Sequence, residues 1–502
     1  MLIKNSYNVF VHACTVRNIL QSLCWLAGAL LFLTLGGCAQ NPVSGNQDFV
    51  LLGVDSEIAI GRTNHPKIIE QYGRYNDESL QAYVQSVGDK LASVSHRPEL
   101  LYRFTVLNSP VINAFALPGG YIYITRGLMA YLNSEAELAA VLGHEIGHVT
   151  ARHGVRQQSA SQAANLGYTL GSILFPELRG APSQDLFNVL GGALLSGYGR
   201  EHELESDGLG AEYLARAGYD TKAMIDVIRV LKDQESFSAI EAKKQGREAK
   251  GYHGLFASHP DNDTRLHEIV AGADQYASAQ QTKIGRSEYL THINGLIFGD
   301  SEAQGIRSDR HFYHLAMNFA VEFPIGWQIN NNPDSLQSLS PNGDAVVEMR
   351  ATDLNRKLTP REFIAQRLKI AKLKSGQPLN ANGLDGYTGI FTIQDKLARV
   401  AVIYLRDKAF VFFGSVKSNK MFNQFDSDFV TAAKSLHALR ADETALAKAL
   451  KLDVVTVGKA DNYMAWAQDS RISNSPIEQL RLLNGDYPAG ELDAGEMAKR
   501  VN

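Results

Sequence analysis

Apolar and polar positions along the chain alternate with two periods, and the changes of period mark its elements. From Asp55 to about Ser95 the pattern is helical, with Leu80, Tyr83, Val84, Val87 and Leu91 at three- and four-residue steps. Tyr102 to Leu107 is strand-like. Asn113 to Thr125 carries a Pro118-Gly119-Gly120 turn followed by β-branched and aromatic residues, which predicts a hairpin or short sheet. Ser134 with Glu137 three residues on is a capping-box signature, so a helix is expected from there past His148. Residues near Gln157 to Gly197 are rich in Ala, Gly, Ser and Leu. A further helix is expected from about Asp185 through Glu203 and Asp207 to Ala217, with Gly218 as its stop.

After about Ser308 the pattern changes. Phe319 to Trp327 reads as strand then turn, and strand-like pieces recur at Ala345–Met349, Tyr387–Ile393, Arg399–Leu405 and Ala409–Val416. Helices are expected at Pro360–Lys374 and Phe425–Leu436, giving a separate α+β domain. A last small unit begins near Ala445, with a strand at Val454–Val457, a helix around Tyr463–Ala467, and Ile477–Leu483 running into Asn484-Gly485.

Composition sharpens this picture in three ways. Apolar residues fill 45% and charged residues 20% of 502 positions, which allows large cores and excludes wholesale disorder. The formal net charge is −4 with no long basic run, so no nucleic-acid partner is expected. The three cysteines, Cys14, Cys24 and Cys38, all lie near the N-terminus and cannot staple the body of the chain.

The N-terminus reads as an address. Lys4 and Arg17 precede an apolar stretch from Ile19 to Leu35, and Leu35-Gly36-Gly37-Cys38 follows. This resembles a bacterial lipoprotein signal, which implies cleavage before Cys38 and its lipidation. The competing reading is an uncleaved transmembrane anchor, but the apolar run is short for a span and ends at Cys38. In such lipoproteins a residue other than aspartate after the cysteine, here Ala39, implies sorting to the outer membrane. Cleavage would remove Cys14 and Cys24 and leave no disulfide within one chain.

The chemistry sits at His144-Glu145-Ile146-Gly147-His148, which fits H-E-x-x-H. Histidines four apart share a helical face, so both imidazoles can bind one zinc ion. Glu145 lies about 100° around the helix from His144, where its carboxylate can take a proton from the attacking water and deliver it to the leaving amine. Two solvated histidines on a surface helix would not explain the apolar flanks Leu138, Val141, Leu142 and Val149. A catalytic zinc needs a third protein ligand, and the best candidate region is Glu201 to Asp207, where Glu203 and Asp207 share a face. Glu201 and Glu205 read as solvated acids, and His202 as a surface residue or a neighbour of the ligands.

His144-Glu145-x-x-His148 followed by Glu203-x-x-x-Asp207 resembles the gluzincin peptidases that include the CAAX prenyl proteases, HtpX and the BepA-type periplasmic assembly proteases. The resemblance implies one zinc per chain, Glu203 as its third ligand, and Asp207 as the residue that fixes a ligating histidine. Ser206 stands where the family usually has alanine. Asn113, Ala114, Phe115 and Ala116 open a stretch that resembles the family's substrate-aligning edge strand, which binds peptide through backbone pairing. Ser258-His259-Pro260, with Arg265 further on, resembles a downstream His-Pro…Arg motif and implies a place near the zinc. There His259, with Arg265 nearby, can donate to the oxyanion, or His259 can ligate the zinc and hold the enzyme latent; latency is the favoured reading.

Leu166–Leu174 and Leu186–Leu195 are apolar, but neither approaches the ~20 residues of a membrane span, so the catalytic unit is expected to be a soluble domain held near the membrane by its lipid. The 319–436 region resembles α/β-sandwich modules of the PsbP-like kind, and the final unit loosely resembles a LysM fold, which implies glycan of peptidoglycan as a partner. The expected architecture is α+β and multidomain: a mainly helical zincin-like peptidase domain with a small β-sheet, an α/β-sandwich domain and a small LysM-like unit. Its segments are a signal peptide at 1–37, a tether at 38–54, the peptidase at 55–275, a linker at 276–307, the accessory domain at 308–440 and the last unit at 441–502. The expected function is a zinc-dependent endopeptidase of the bacterial periplasm, lipid-anchored to the outer membrane and acting on misfolded or stalled envelope proteins. The alternative is an assembly factor or chaperone with occasional proteolysis. A purely structural zinc site is disfavoured because it would need no general base such as Glu145.

Overall fold

The structure is a computed structural model and describes residues 38–50, 52–159, 199–244, 265, 268, 282–332, 334–354 and 357–502. The expected signal peptide, the two apolar runs after residue 160 and His259 lie outside these residues.

Short strands β1 (Cys38–Gln40) and β2 (Gln47–Phe49) pair before the first helices. The helical pattern from Asp55 to Ser95 is two helices rather than one. Helix α1 (Val54–Tyr72) stops at Gly73 in a positive-φ conformation, and α2 (Glu78–Ala92) restarts under Asp77, whose carboxylate accepts from Leu80 N. The break lets Arg74 bridge to Leu107, so the chain turns back along the sheet. That sheet has the order β3–β5–β4, with β3 (Arg103–Leu107) parallel and β4 (Ala114–Leu117) antiparallel to the central β5 (Tyr121–Thr125). The hairpin turn lies at Pro118-Gly119-Gly120. Among the described residues β4 lies at the sheet edge, with one side not paired to another strand.

Helices α3 (Arg126–Tyr131) and α4 (Glu135–Thr150) follow directly. Every residue of α4 is buried, so it is the central helix of the domain. Helix α5 (Arg200–Arg216) crosses it, and α6 (Ala223–Lys244) packs on both. Helix α5 begins at Arg200 after Gly199, whose backbone is extended, so it is not continuous with a helix from Asp185.

The stretch expected to be a linker contains α7 (Arg286–His292) and β6 (Ile297–Phe298). The accessory region forms a four-stranded sheet that includes β7 (Ile306–Ser308), β8 (His311–His314) and β9 (Phe319–Glu322). It also forms a seven-stranded antiparallel sheet. Its strands are β10 (Gln328–Asn331), β11 (Leu336–Leu339), β12 (Ala345–Asp353), β13 (Lys374–Ala381), β14 (Leu384–Ile393), β15 (Lys396–Leu405) and β16 (Lys408–Val416). Helix α8 (Phe422–Ser435) closes their shared core through Phe422 and Phe429, and β17 (His437–Ala438) completes the smaller sheet. The helix expected over Pro360–Lys374 is cut short. Thr359 caps its first turn, the coil widens to a π-turn at Phe363–Arg367, and β13 begins at Lys374. Phe363 and Ile364 pack against Val400, Val402 and Val411 there, so tertiary burial overrides helical propensity.

The last unit runs β18 (Leu450–Thr456), α9 (Tyr463–Asp469), α10 (Pro476–Asn484) and β19 (Met497–Val501), with β18 between β19 and β6. It shares one apolar core with the helical domain: Leu452, Tyr463, Trp466, Leu480 and Val501 join Leu80, Val84, Val87 and Leu142 in the same cluster of buried residues. Polar contacts tighten the same junction. The buried Lys499 donates to Ala130 O and Leu132 O, both at 2.8 Å, and burial holds its ammonium well below the usual lysine range. Arg126, also buried, donates to Ile297 O at 3.0 Å and Gly299 O at 2.7 Å.

Candidate metal centre

The site starts from how α4 is held. Ser134 caps it, accepting from Glu137 N at 3.1 Å, while Glu137 Oε2 accepts from Asn133 N at 2.8 Å. Along the face turned to α5 the side chains are small. A Cβ on Gly147 would lie 3.1 Å from Ser206 Cα, and one on Gly210 would lie 3.1 Å from His144 N. Without side chains there, the two helices approach closely, and Glu203 reaches the two histidines.

His144 Nε2 and His148 Nε2 are 3.0 Å apart, and the Glu203 carboxylate is 3.5 Å from each. All three side chains are buried, and their ligand atoms lie within 4.8 Å of one another. A tetrahedral zinc with N and O ligands at about 2.0–2.1 Å keeps its donors about 3.3 Å apart, so the donor set fits zinc in chemistry and spacing.

Each histidine is backed on its far side. His144 Nδ1 is 2.7 Å from Asp207 Oδ1, and Arg265 donates to Asp207 through Nε and Nη2, both at 2.7 Å. Burial alone would lower the His144 pKa, but Asp207 and Glu203 outweigh it and raise it to about 9. Burial would raise the Asp207 carboxyl, but the Arg265 charge and its hydrogen bonds hold it below the usual range. His148 Nδ1 is 2.9 Å from His153 Nδ1, and His153 Nε2 is 2.9 Å from Glu205 Oε2. Burial pushes His153 down; His202 stacks on it with centroids 4.2 Å apart and is itself pushed down to about 4, first by burial and then by the neighbouring charges.

Glu145 is buried on α4 beside His144. Asn113 O accepts from Thr125 N at 3.0 Å, and the antiparallel register then pairs Phe115 with Tyr123. By alternation the main-chain groups of Ala114 and Ala116 face the open edge of β4. A cleft lined by Ala116, Leu117, Pro118, His148, Arg152 and Val155 brings the end of that strand beside the end of α4.

Two expectations change. Arg265, expected near the oxyanion, instead has its guanidinium fork on Asp207, with Nη1 3.4 Å from Glu203 Oε2. Glu205, expected to be a solvated acid, accepts from the residue behind His148. The H-E-x-x-H spacing does not single out His153; the signal for it is a third histidine five residues after His148. Ser206, at the family's usual alanine position, lies with Oγ 3.2 Å from His153 Nδ1. His259 lies outside the described residues, and of Cys38 only the backbone is described.

Residues 78–272 match the model of Peptidase family M48. The beta-barrel assembly-enhancing protease of Yersinia pestis is 30% identical over 243 residues, which cover 47% of each chain. Its namesake in Escherichia coli (strain K12) is 34% identical over 210 residues, 40% of each chain. The mitochondrial metalloendopeptidase OMA1 of Arabidopsis thaliana is 34% identical over 190 residues, 38% of this chain and 36% of that one. The chain thus spans about half the length or less of these curated relatives. The matched segment contains the buried His144, His148 and Glu203 set, so in this segment the chain is similar to the metallopeptidases of family M48.

Proposed function

We propose that the protein is a metalloendopeptidase of the bacterial cell envelope that cleaves misfolded or stalled envelope proteins. The observation that carries this reading is the buried His144, His148 and Glu203 set with Glu145 beside it and an open strand edge close by. A zinc ion held there supplies Lewis acidity toward the scissile carbonyl. Glu145 takes a proton from the attacking water and returns it to the leaving amine. Ala114 and Ala116 align an extended peptide by main-chain pairing, which demands little of its sequence. Asp207 and Arg265 orient His144.

The relatives' name, beta-barrel assembly-enhancing protease, favours a second reading in which assisting assembly is the main task and cleavage is occasional. Lipid at Cys38 would hold the enzyme at the outer membrane, and the last unit would contact peptidoglycan. Among the described residues no helix is long and apolar enough to cross a membrane. Digestion of casein with and without a zinc chelator tests the peptidase reading. Activity should be lost with the chelator and return with added zinc; cleavage indifferent to the chelator contradicts it. In the same assay, His259→Ala raises activity if His259 restrains the enzyme and lowers it if His259 serves the oxyanion. Failure of Cys38→Ala to reduce incorporation of labelled fatty acid would contradict the anchor.

A further inference from the structure

We propose that His153 and Glu205 are a positioning pair that fixes which nitrogen His148 presents to the metal. The inference rests on the metal centre proposed above. His148 turns Nε2 to the centre, so as a neutral ligand it carries its proton on Nδ1 and needs an acceptor there. That acceptor is His153 Nδ1, at 2.9 Å. It can accept only if His153 keeps its own proton on Nε2, and Glu205 Oε2, 2.9 Å from that nitrogen, holds it there. Arg156 Nη1, 3.3 Å from the same oxygen, holds the carboxylate in turn. The donors therefore run in one direction, from His148 through His153 to Glu205. His144 is backed by different chemistry, a carboxylate and a guanidinium, so the two ligands are set independently.

The turn that brings His153 back under His148 is itself braced. Arg152 adopts a left-handed conformation with φ 60°, unusual for a residue with a side chain. Its buried guanidinium donates from Nε to Glu57 Oε1 at 2.6 Å and from Nη2 to Leu52 O at 2.7 Å. Arg97 Nη1 donates to the other oxygen of Glu57 at 2.9 Å. Helix α1 thus fixes the end of α4 and with it the place of His153, which is fully buried.

The test uses the full chain. Zinc affinity by chelator competition, the visible spectrum of the cobalt-substituted protein, and melting of the metal-free protein are compared for wild type, His153→Leu, His153→Gln and Glu205→Leu. His153→Leu should bind zinc about 10–100-fold more weakly and shift the cobalt bands, with metal-free melting near wild type. His153→Gln, whose amide oxygen can accept from His148, should recover part of the affinity, and Glu205→Leu, which removes the acceptor for His153 Nε2, should weaken binding by a smaller factor than His153→Leu. Wild-type affinity and unshifted bands in His153→Leu overturn the pair. Should His153→Leu fail to fold, Glu205→Leu decides, because Glu205 is 29% exposed and leucine offers His153 no acceptor: unchanged affinity and bands overturn the proposal. A wild-type chain that binds no zinc overturns the metal centre, and the pair with it.

Discussion

At the scale of single residues, the parts visible in the sequence are those whose spacing is fixed by one helix. His144, Glu145 and His148 follow from the period of α4, and Glu203 and Asp207 from that of α5. What was not visible depends on how separate segments meet. The sequence cannot show that Arg265 closes on Asp207, or that a left-handed Arg152 returns His153 to His148. The Arg265 contact gives a prediction. Removing the guanidinium leaves a buried carboxylate with one fewer partner, and breaking such a pair costs about 3–5 kcal/mol. Arg265→Ala should therefore lower the melting temperature and, by loosening His144, weaken zinc binding about 10–100-fold. Calorimetry and chelator competition check this; a variant with wild-type melting and affinity would remove Arg265 from the site.

At the scale of elements, the strands of the accessory region and the capped start of α4 were legible because periodicity and caps are local signals. The break at Gly73 and the shortened turn after Pro360 were not, because a bridge and a buried pair of apolar side chains decide them. The close crossing of α4 and α5 is set by glycines that no periodic pattern distinguishes. In Gly147→Ala the new methyl meets Ser206 Cα and O, each at 3.1 Å, and both belong to the backbone of α5. The helices must separate by a few tenths of an ångström, which should destabilise the domain by about 1–3 kcal/mol and weaken the metal site. Denaturant unfolding and zinc titration measure both effects. An unchanged midpoint with unchanged affinity would mean the crossing tolerates a methyl group.

At the scale of the whole molecule, sequence patterns separate the last unit from the peptidase domain, whereas the described residues join them in one core. Lys499 reaches Ala130 and Leu132, Arg126 reaches Ile297 and Gly299, and Tyr289 donates to Met129 O at 2.6 Å. These contacts join residues far apart in the chain, so no local pattern reveals them. A chain ending at residue 440 would expose that core and leave the Ala130 and Leu132 carbonyls without Lys499. Water would reach those carbonyls, so the main loss is apolar burial, about 25 cal/mol for each Å² newly exposed. Such a chain should lose cooperative melting and zinc binding together. A truncated chain that melts and binds zinc like the full one would show that the last unit is an independent module.

The central claim is that the buried donor set holds zinc while Glu145 moves the proton. The most direct measurement is the casein turnover of Glu145→Gln with zinc content determined on the same samples. The expected result is one zinc per chain, as in wild type, and turnover reduced by about 10²–10⁴, because the general base is lost while the metal stays. Wild-type turnover in Glu145→Gln with its zinc in place would contradict it.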